Sequence, residues 1–220
     1  MLNDLLRAIG QLRAPGLRGL VFTGVLISLA VLIGLIAGLQ VATAWLTETG
    51  YPWLDWTIGL LSALGSIVAA WFLFPATVSL VFGFFADRIV DAVEQQHYPH
   101  LSPPRSGGVG EAMSGAVRLG ALALGLNLLA IPLYLVPGIN IAVALLLNGY
   151  LISREYFEAV ALRRMEPEQV HELRRQHSAG ILLSGVIVAL TLLIPFVNLV
   201  APVIGISFLT HRFHTLAARA

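Results

Sequence analysis

The sequence predicts an all-α integral membrane protein. Its expected parts are two full transmembrane helices, two re-entrant (half-penetrating) helical hairpins and an N-terminal amphipathic interfacial helix, in a single membrane domain over residues 1–220. Three observations predict it. The composition is 57% hydrophobic and 11% charged with a mean hydropathy of +0.84, too apolar for a soluble globule of this length. Four long segments carry no charge: Gly19 to Leu46, Trp56 to Ala86, Leu119 to Ser153 and Ser178 to Thr210. The last two are each interrupted near the middle by helix-breaking residues.

At the N-terminus, Leu2, Leu5, Leu6, Ile9 and Leu12 recur at helical spacing while Asp4, Arg7 and Gln11 are polar. This suits a helix over residues 1–14 lying on the inner membrane surface. The stretch has no long apolar core before its arginines and no small-residue cleavage site, so it does not read as a signal peptide. A hydrocarbon core about 30 Å thick needs roughly 20 helical residues. The first two apolar segments therefore each make one generous span, over 15–46 and 56–90. Gly34 and Gly38 form a GxxxG pair in the first of them, a pattern that favours close helix packing.

The third and fourth segments are too long for one span and too short for two. The third carries Pro132 and then Pro137-Gly138-Ile139-Asn140, and the fourth repeats the pattern as Pro195-Phe196-Val197-Asn198, followed by Pro202. Both read as hairpins, 119–153 and 178–210, that enter the bilayer, turn and return. Arginine placement agrees, because short cytoplasmic loops are enriched in basic residues. Only the loop Thr47 to Asp55 has no arginine, so it belongs outside, and both termini belong in the cytoplasm. Two returning hairpins keep Arg154, Arg163, Arg164, Arg174 and Arg175, and then Arg212 and Arg219, on the cytoplasmic side. Irregular backbone at the hairpin tips near Gly138 and Phe196 must be covered by protein or water. That favours a homo-oligomer over a monomer with broken helices.

The sequence excludes several function classes. A net charge of +1 gives no basic field for nucleic acid. The absence of cysteine removes disulfides, thiolate metal sites and a cysteine nucleophile. Gly108-Val109-Gly110 follows no strand, so it is no nucleotide loop. His211 and His214 share a helix face without a third ligand, and His171 does not open an HExxH motif, so no metal site is expected. Asp87, Asp91 and Glu94 read as a solvated face continuing the second helix, and Arg154 pairs with Glu158 at i,i+4. No catalytic residue and no cofactor are expected, and the chain does not read as an enzyme.

The stretches QLRAPGLRGL, FFADRIVDAVEQ, YLVPGINIAVALLLNGYLISREYFEAVALRR and LLIPFVNLVAPVIG together resemble the CysZ-type bacterial sulfate permeases of the etoposide-induced-protein-like membrane family. The resemblance runs from about Leu12 to Phe213. It implies an oligomeric protein of the bacterial inner membrane that carries sulfate inward for cysteine biosynthesis without ATP. The Gly-hydrophobic-Arg sulfate motif of the family falls on Gly16, Leu17 and Arg18. Where the family commonly has a second arginine, this chain has Gly19, and it is shorter than the typical permease.

The residues suggest how such a site would work. With Pro15 as the first helical residue, the amides of Gly16 and Leu17 lack intrahelical partners at the positive end of the helix dipole. Such an end suits an anion, and Arg18 adds a permanent charge with several donors. Sulfate, sulfite, thiosulfate, molybdate and phosphate all remain open as ligands, since one arginine reads only charge and size. The tip residues Asn140 and Asn198 either line the conduction path or cap their own turns. The rival reading is a non-transport membrane scaffold or stress-response protein that docks partners on the segment Arg154 to Arg175.

Overall fold

Where no water competes for the backbone, a helix is the conformation that satisfies its own amides, and this chain is helical almost throughout. The structure, a computed structural model, describes residues 1–46, 49–105, 109–194 and 197–219. These form α1 (Leu2–Gln11), α2 (Pro15–Leu46), α3 (Pro52–Phe84), α4 (Ala86–His97), α5 (Val109–Tyr134), α6 (Ile139–Ala161), α7 (Pro167–Gln176), α8 (Ser178–Leu192), a 3-10 turn (Val197–Leu199) and α9 (Ala201–Ala217). No strand occurs among the described residues. Among the described residues, three helices hold stretches long and apolar enough to cross a membrane: Pro15–Trp45, Pro52–Ala70 and Met113–Tyr134. A fourth is added if α7 and α8, bent by 87° where they meet, count as one span.

Several boundaries differ from the apolar runs. α3 starts at Pro52, with proline in the first turn where its missing N–H costs nothing, and ends at Phe84. Phe85 leaves helical geometry at φ −93, ψ 2, so α4 is a separate helix and not an extension of α3 to residue 90. α5 begins ten residues before Leu119, because Glu111 and Arg118 end the apolar run without disfavouring helix. The first hairpin turns at Gly138, whose φ of +84° is a conformation that favours glycine. Pro132 lies two residues short of the end of α5 and does not terminate it. The second tip, Pro195 and Phe196, lies outside the described residues, between α8 and the 3-10 turn. With 15 residues and about 22 Å of length, α8 is too short to cross a bilayer.

The described chain forms two compact units, Met1–Arg18 with Ala86–Ala220, and Gly19–Phe85. In the first, α9 is the centre. It is apolar on most of its circumference and is packed by α1, α4, α6 and α8, which bury Val203, Ile206, Phe208, Leu209 and Phe213. α6 and α8 cross at their glycines. A Cβ on Gly185 would land on the Gly149 carbonyl oxygen and 2.5 Å from the Ser153 Cβ, while one on Gly149 would lie 2.6 Å from Val186 Cγ2. Gly205 likewise admits the Tyr156 ring and Val188.

In the second unit, Gly24 of α2 lies under the Phe82 ring of α3. Gly34 and Gly38, the GxxxG pair, stand in open space: among the described residues of this chain a Cβ on either would have nothing within 4 Å. A polar cluster ties the two helices instead. Gln40 Nε2 donates to the Ser62 carbonyl (3.2 Å) and to Ser66 Oγ (2.6 Å), and Ser62 Oγ donates to Gln40 Oε1 (3.2 Å). Interhelical hydrogen bonds of this kind hold helices together where burial provides no drive. Trp45, Tyr51, Trp53 and Trp56 are exposed around the α2–α3 connection, as expected of an aromatic belt at a membrane surface.

Candidate functional site

The stretch Ala14-Pro15-Gly16-Leu17-Arg18 forms the first turn of α2, with Pro15 as its first residue. The first closing bond runs from the Arg18 amide to the Ala14 carbonyl (3.0 Å), which leaves the amides of Gly16 and Leu17 ahead of the helical ladder. Leu17 is 1% exposed and pins the turn into the protein, while Gly16 and Arg18 on either side are exposed. A Cβ on Gly16 would meet only the Ala92 Cβ at 4.0 Å, an ordinary contact. Among the described residues, Arg18 has no carboxylate partner.

α1 leads into this turn, and its packing is inverted relative to a soluble helix. Asp4, Ala8 and Gln11 are buried, whereas Leu2, Leu6 and Ile9 face outward. The inward face meets polar positions of α9 and α4. Thr215 Oγ1 donates to Asp4 Oδ1 (3.2 Å), and the N-terminal ammonium lies 3.1 Å from Asp4 Oδ2. His211 Nε2 lies 3.1 Å from Gln11 Oε1, and the Tyr98 hydroxyl lies 3.0 Å from His211 Nδ1. Because a carboxamide oxygen only accepts, His211 carries its proton on Nε2 and its Nδ1 accepts from Tyr98. The His97 ring stands edge-on to His211, with centroids 4.9 Å apart. Burial first, then any charge on His97, the positive charge of Arg7 and any charge on His214, hold His211 down to about 4, despite Asp4 nearby. It is a neutral histidine at ordinary pH.

Glu94 and Arg164 form the second part of this network. Arg164 grips Glu94 with two guanidinium nitrogens, and its third binds the Ser102 carbonyl. His214 Nε2 donates to Glu94 Oε1 (2.9 Å), and the Tyr98 ring stacks on His214 with centroids 4.1 Å apart. Burial would raise Glu94, but hydrogen bonds and charge from His214 and Arg164 outweigh it and bring the carboxyl to about 2. Arg163 pairs with Asp87 (2.7 Å) and with Asp91. Of the acidic positions of α4, Asp87 and Asp91 remain solvated while paired, and only Glu94 is buried. They clamp α4 to the chain after α6, because two adjacent arginines there meet carboxylates spaced one helical turn apart.

Arg154 pairs with Glu158 (3.1 Å), as its i,i+4 spacing predicts, and Arg174 reaches the same carboxylate (2.5 Å). His211 and His214, which share a face in sequence, turn to different partners, and no group of metal-binding side chains is assembled among the described residues. At the first hairpin tip, Asn140 Oδ1 accepts from the amides of Gly138 (3.1 Å) and Ile141 (2.9 Å), so its carboxamide oxygen caps the turn. Asn198 lies in the 3-10 turn, its amide bonded to the Ile194 carbonyl (3.1 Å). Neither asparagine is brought to the start of α2.

The Gln11–His211–Tyr98 chain is not apparent from the sequence. Asp4 and Gln11 repeat on one face of α1, a pattern common to a face turned to water and one turned to protein, and their partners lie some 200 positions away. The polar run Thr210, His211, Arg212, His214 and Thr215, at the end of a helix that begins apolar, is the signal of it.

A comparison with curated proteins finds no match. The family model described as Sulfate transporter CysZ/Etoposide-induced protein 2.4 matches residues 4–202, which include the first turn of α2, both proline-bearing breaks and the α4 clamp, and the chain belongs to that family.

Proposed function

We propose that the protein is an ATP-independent permease or channel for sulfate or a related oxyanion in the bacterial inner membrane, supplying sulfate for cysteine biosynthesis. The observation that carries this reading is the start of α2. Arg18 is exposed and without a carboxylate partner beside two amides that precede the helical ladder, whereas Arg154, Arg163, Arg164 and Arg174 are engaged by carboxylates. Gly16, Leu17 and Arg18 then hold the anion: Leu17 anchors the turn, Gly16 lets an oxygen approach the backbone, and Arg18 supplies charge.

The membrane arrangement that goes with this function has cytoplasmic termini, α1 in the interface and two half-penetrating hairpins. The outward leucines of α1 support its interfacial place and the shortness of α8 supports the half depth of the second hairpin, whereas α5 is long enough to cross. A fully crossing α5 followed by a returning α6 would leave the arginine-rich segment on the same side, so the sidedness does not depend on hairpin depth. The path would run between hairpins or protomers of a homo-oligomer, with Asn198 as a polar lining group; the Asn140 oxygen is taken up by its own turn.

Sulfate flux into proteoliposomes tests the proposal. Wild type is expected to admit sulfate and Arg18→Ala to lose at least tenfold in rate. Equal rates, or no flux from either, would overturn it. The scaffold reading is less favoured, because most of the arginines between Arg154 and Arg175 are engaged within the protein and do not form a free basic surface.

A further inference from the structure

Backbone hydrogen bonds join the end of α1 to the first turn of α2 without a break. The Gln11 carbonyl accepts from the Ala14 amide (2.8 Å), and the Ala14 carbonyl accepts from the Arg18 amide (3.0 Å). A shift of the Gln11 backbone is therefore passed to Ala14 and on to the amides of Gly16 and Leu17. Whatever fixes Gln11 sets the direction in which the new helix starts.

Gln11 is fixed by its side chain. It is 3% exposed, and it bridges two helices: its Oε1 accepts from His211 Nε2 of α9 (3.1 Å), and its Nε2 donates to Gln96 Oε1 of α4 (3.4 Å). The donors run in one direction, from the Tyr98 hydroxyl to His211 Nδ1, from His211 Nε2 to Gln11, and from Gln11 to Gln96. A carboxamide has one donor end and one acceptor end, so this order also decides which way the Gln11 amide faces. Packing alone does not call for such a residue. Ala8 and Leu17, at 0% and 1% exposed, fill the same unit with apolar groups, and a buried carboxamide is costly unless both its ends are matched.

We propose that Gln11, oriented by His211, is a positioning residue for the anion turn. It holds the bared amides of Gly16 and Leu17 and the charge of Arg18 in one fixed relation to α4 and α9, acting through the backbone at Ala14 and not on the anion itself. This rests on the oxyanion reading of the α2 start.

Two replacements of His211 separate positioning from packing. Glutamine places an N–H where Nε2 stood, so His211→Gln keeps the donor to Gln11. Asparagine places its polar group where Nδ1 stood, so His211→Asn keeps only the Tyr98 side. Sulfate binding to the full-length protein in detergent is read by isothermal titration, with Tm measured alongside. His211→Gln is expected to bind within about twofold of wild type, whereas His211→Asn and Gln11→Leu weaken binding about five- to tenfold, as loss of one such hydrogen bond would. The two histidine variants are expected to share a similar Tm. Hydrogen exchange of the segment 13–20, measured without sulfate, is expected to quicken in His211→Asn and Gln11→Leu but not in His211→Gln. Unchanged sulfate affinity in Gln11→Leu, or equal losses in both histidine variants, would overturn the proposal. If wild type binds no sulfate, the oxyanion reading fails; the exchange pattern then decides the tie on its own, which stands if the pattern is as expected and falls if all variants exchange alike.

Discussion

At the first turn of α2, single atoms separate an anion site from an anchor. Because a Cβ on Gly16 would meet only Ala92 at 4.0 Å, Gly16→Ala is expected to fold normally and yet to weaken sulfate binding several-fold by covering the bared amides. A Cβ on Gly19 would have nothing within 4 Å, so Gly19→Arg can leave the backbone freely and would supply the second charge that the family resemblance implies. It is expected to tighten sulfate binding by about three- to tenfold, as one added charge-assisted contact of ~1 kcal/mol would. Isothermal titration in detergent reads both variants. The packing glycines behave differently. Gly185→Ala sets a methyl against the Gly149 carbonyl and is expected to cost roughly 2–3 kcal/mol, seen as a drop in Tm, while Gly34→Ala is expected to be neutral.

That contrast shows what a sequence can carry about single residues. Gly34 and Gly38 advertise themselves by spacing within one helix, but contact is decided by the neighbour. Gly149 and Gly185 meet only because α6 and α8 cross there, and no spacing records it. Pro15 and Gly16 are legible because helix starts are local: proline and glycine act on the backbone at their own positions.

Among the elements, α4 is held by charge on one side and by histidines on the other. His211 is kept neutral when folded, to about 4, whereas an unfolded histidine takes a proton near 6.5, so acid favours the unfolded chain across that window. Glu94, lowered to about 2 from an unfolded value of 4.5, adds stability above pH 4.5 that is lost as pH falls toward 2. Both push the same way. Stability is expected to fall between pH 6.5 and 4 by an amount on the order of 1–2 kcal/mol, seen as a lower Tm, and His211→Asn to flatten that slope. A Tm independent of pH in this window would contradict the buried neutral histidine.

The apolar helices themselves are legible because hydropathy and proline act over contiguous residues. Their ends are not. The start of α5 at Val109 and the break at Phe85 depend on helix propensity and terminal hydrogen bonding, which do not follow the edge of an apolar run. The clamp of Arg163 and Arg164 on α4 is equally hidden, because in sequence those arginines serve topology well enough to need no other role.

On the scale of the whole molecule, the unit centred on α9 is discontinuous: residues 1–18 join residues 86–220. Its helix of greatest burial comes near the end of the chain, and the polar face of α1 is satisfied by that helix alone on its α9 side, through Thr215 and His211. A chain stopped after Thr210 is expected to insert into the membrane but to be degraded, whereas removal of α1 alone should leave α6, α8 and α9 packed. Pulse-chase with membrane fractionation distinguishes the two.

The union of α1 with α9 has a consequence for biogenesis. A ribosome delivers α1 some 200 residues before the α9 partners of Asp4 and Gln11. Contacts of such high sequence separation form slowly and late. The candidate anion turn directly follows α1, so it would acquire its final setting only once α9 has been made. A chain stopped short of α9 would then hold inserted helices without that setting of the turn.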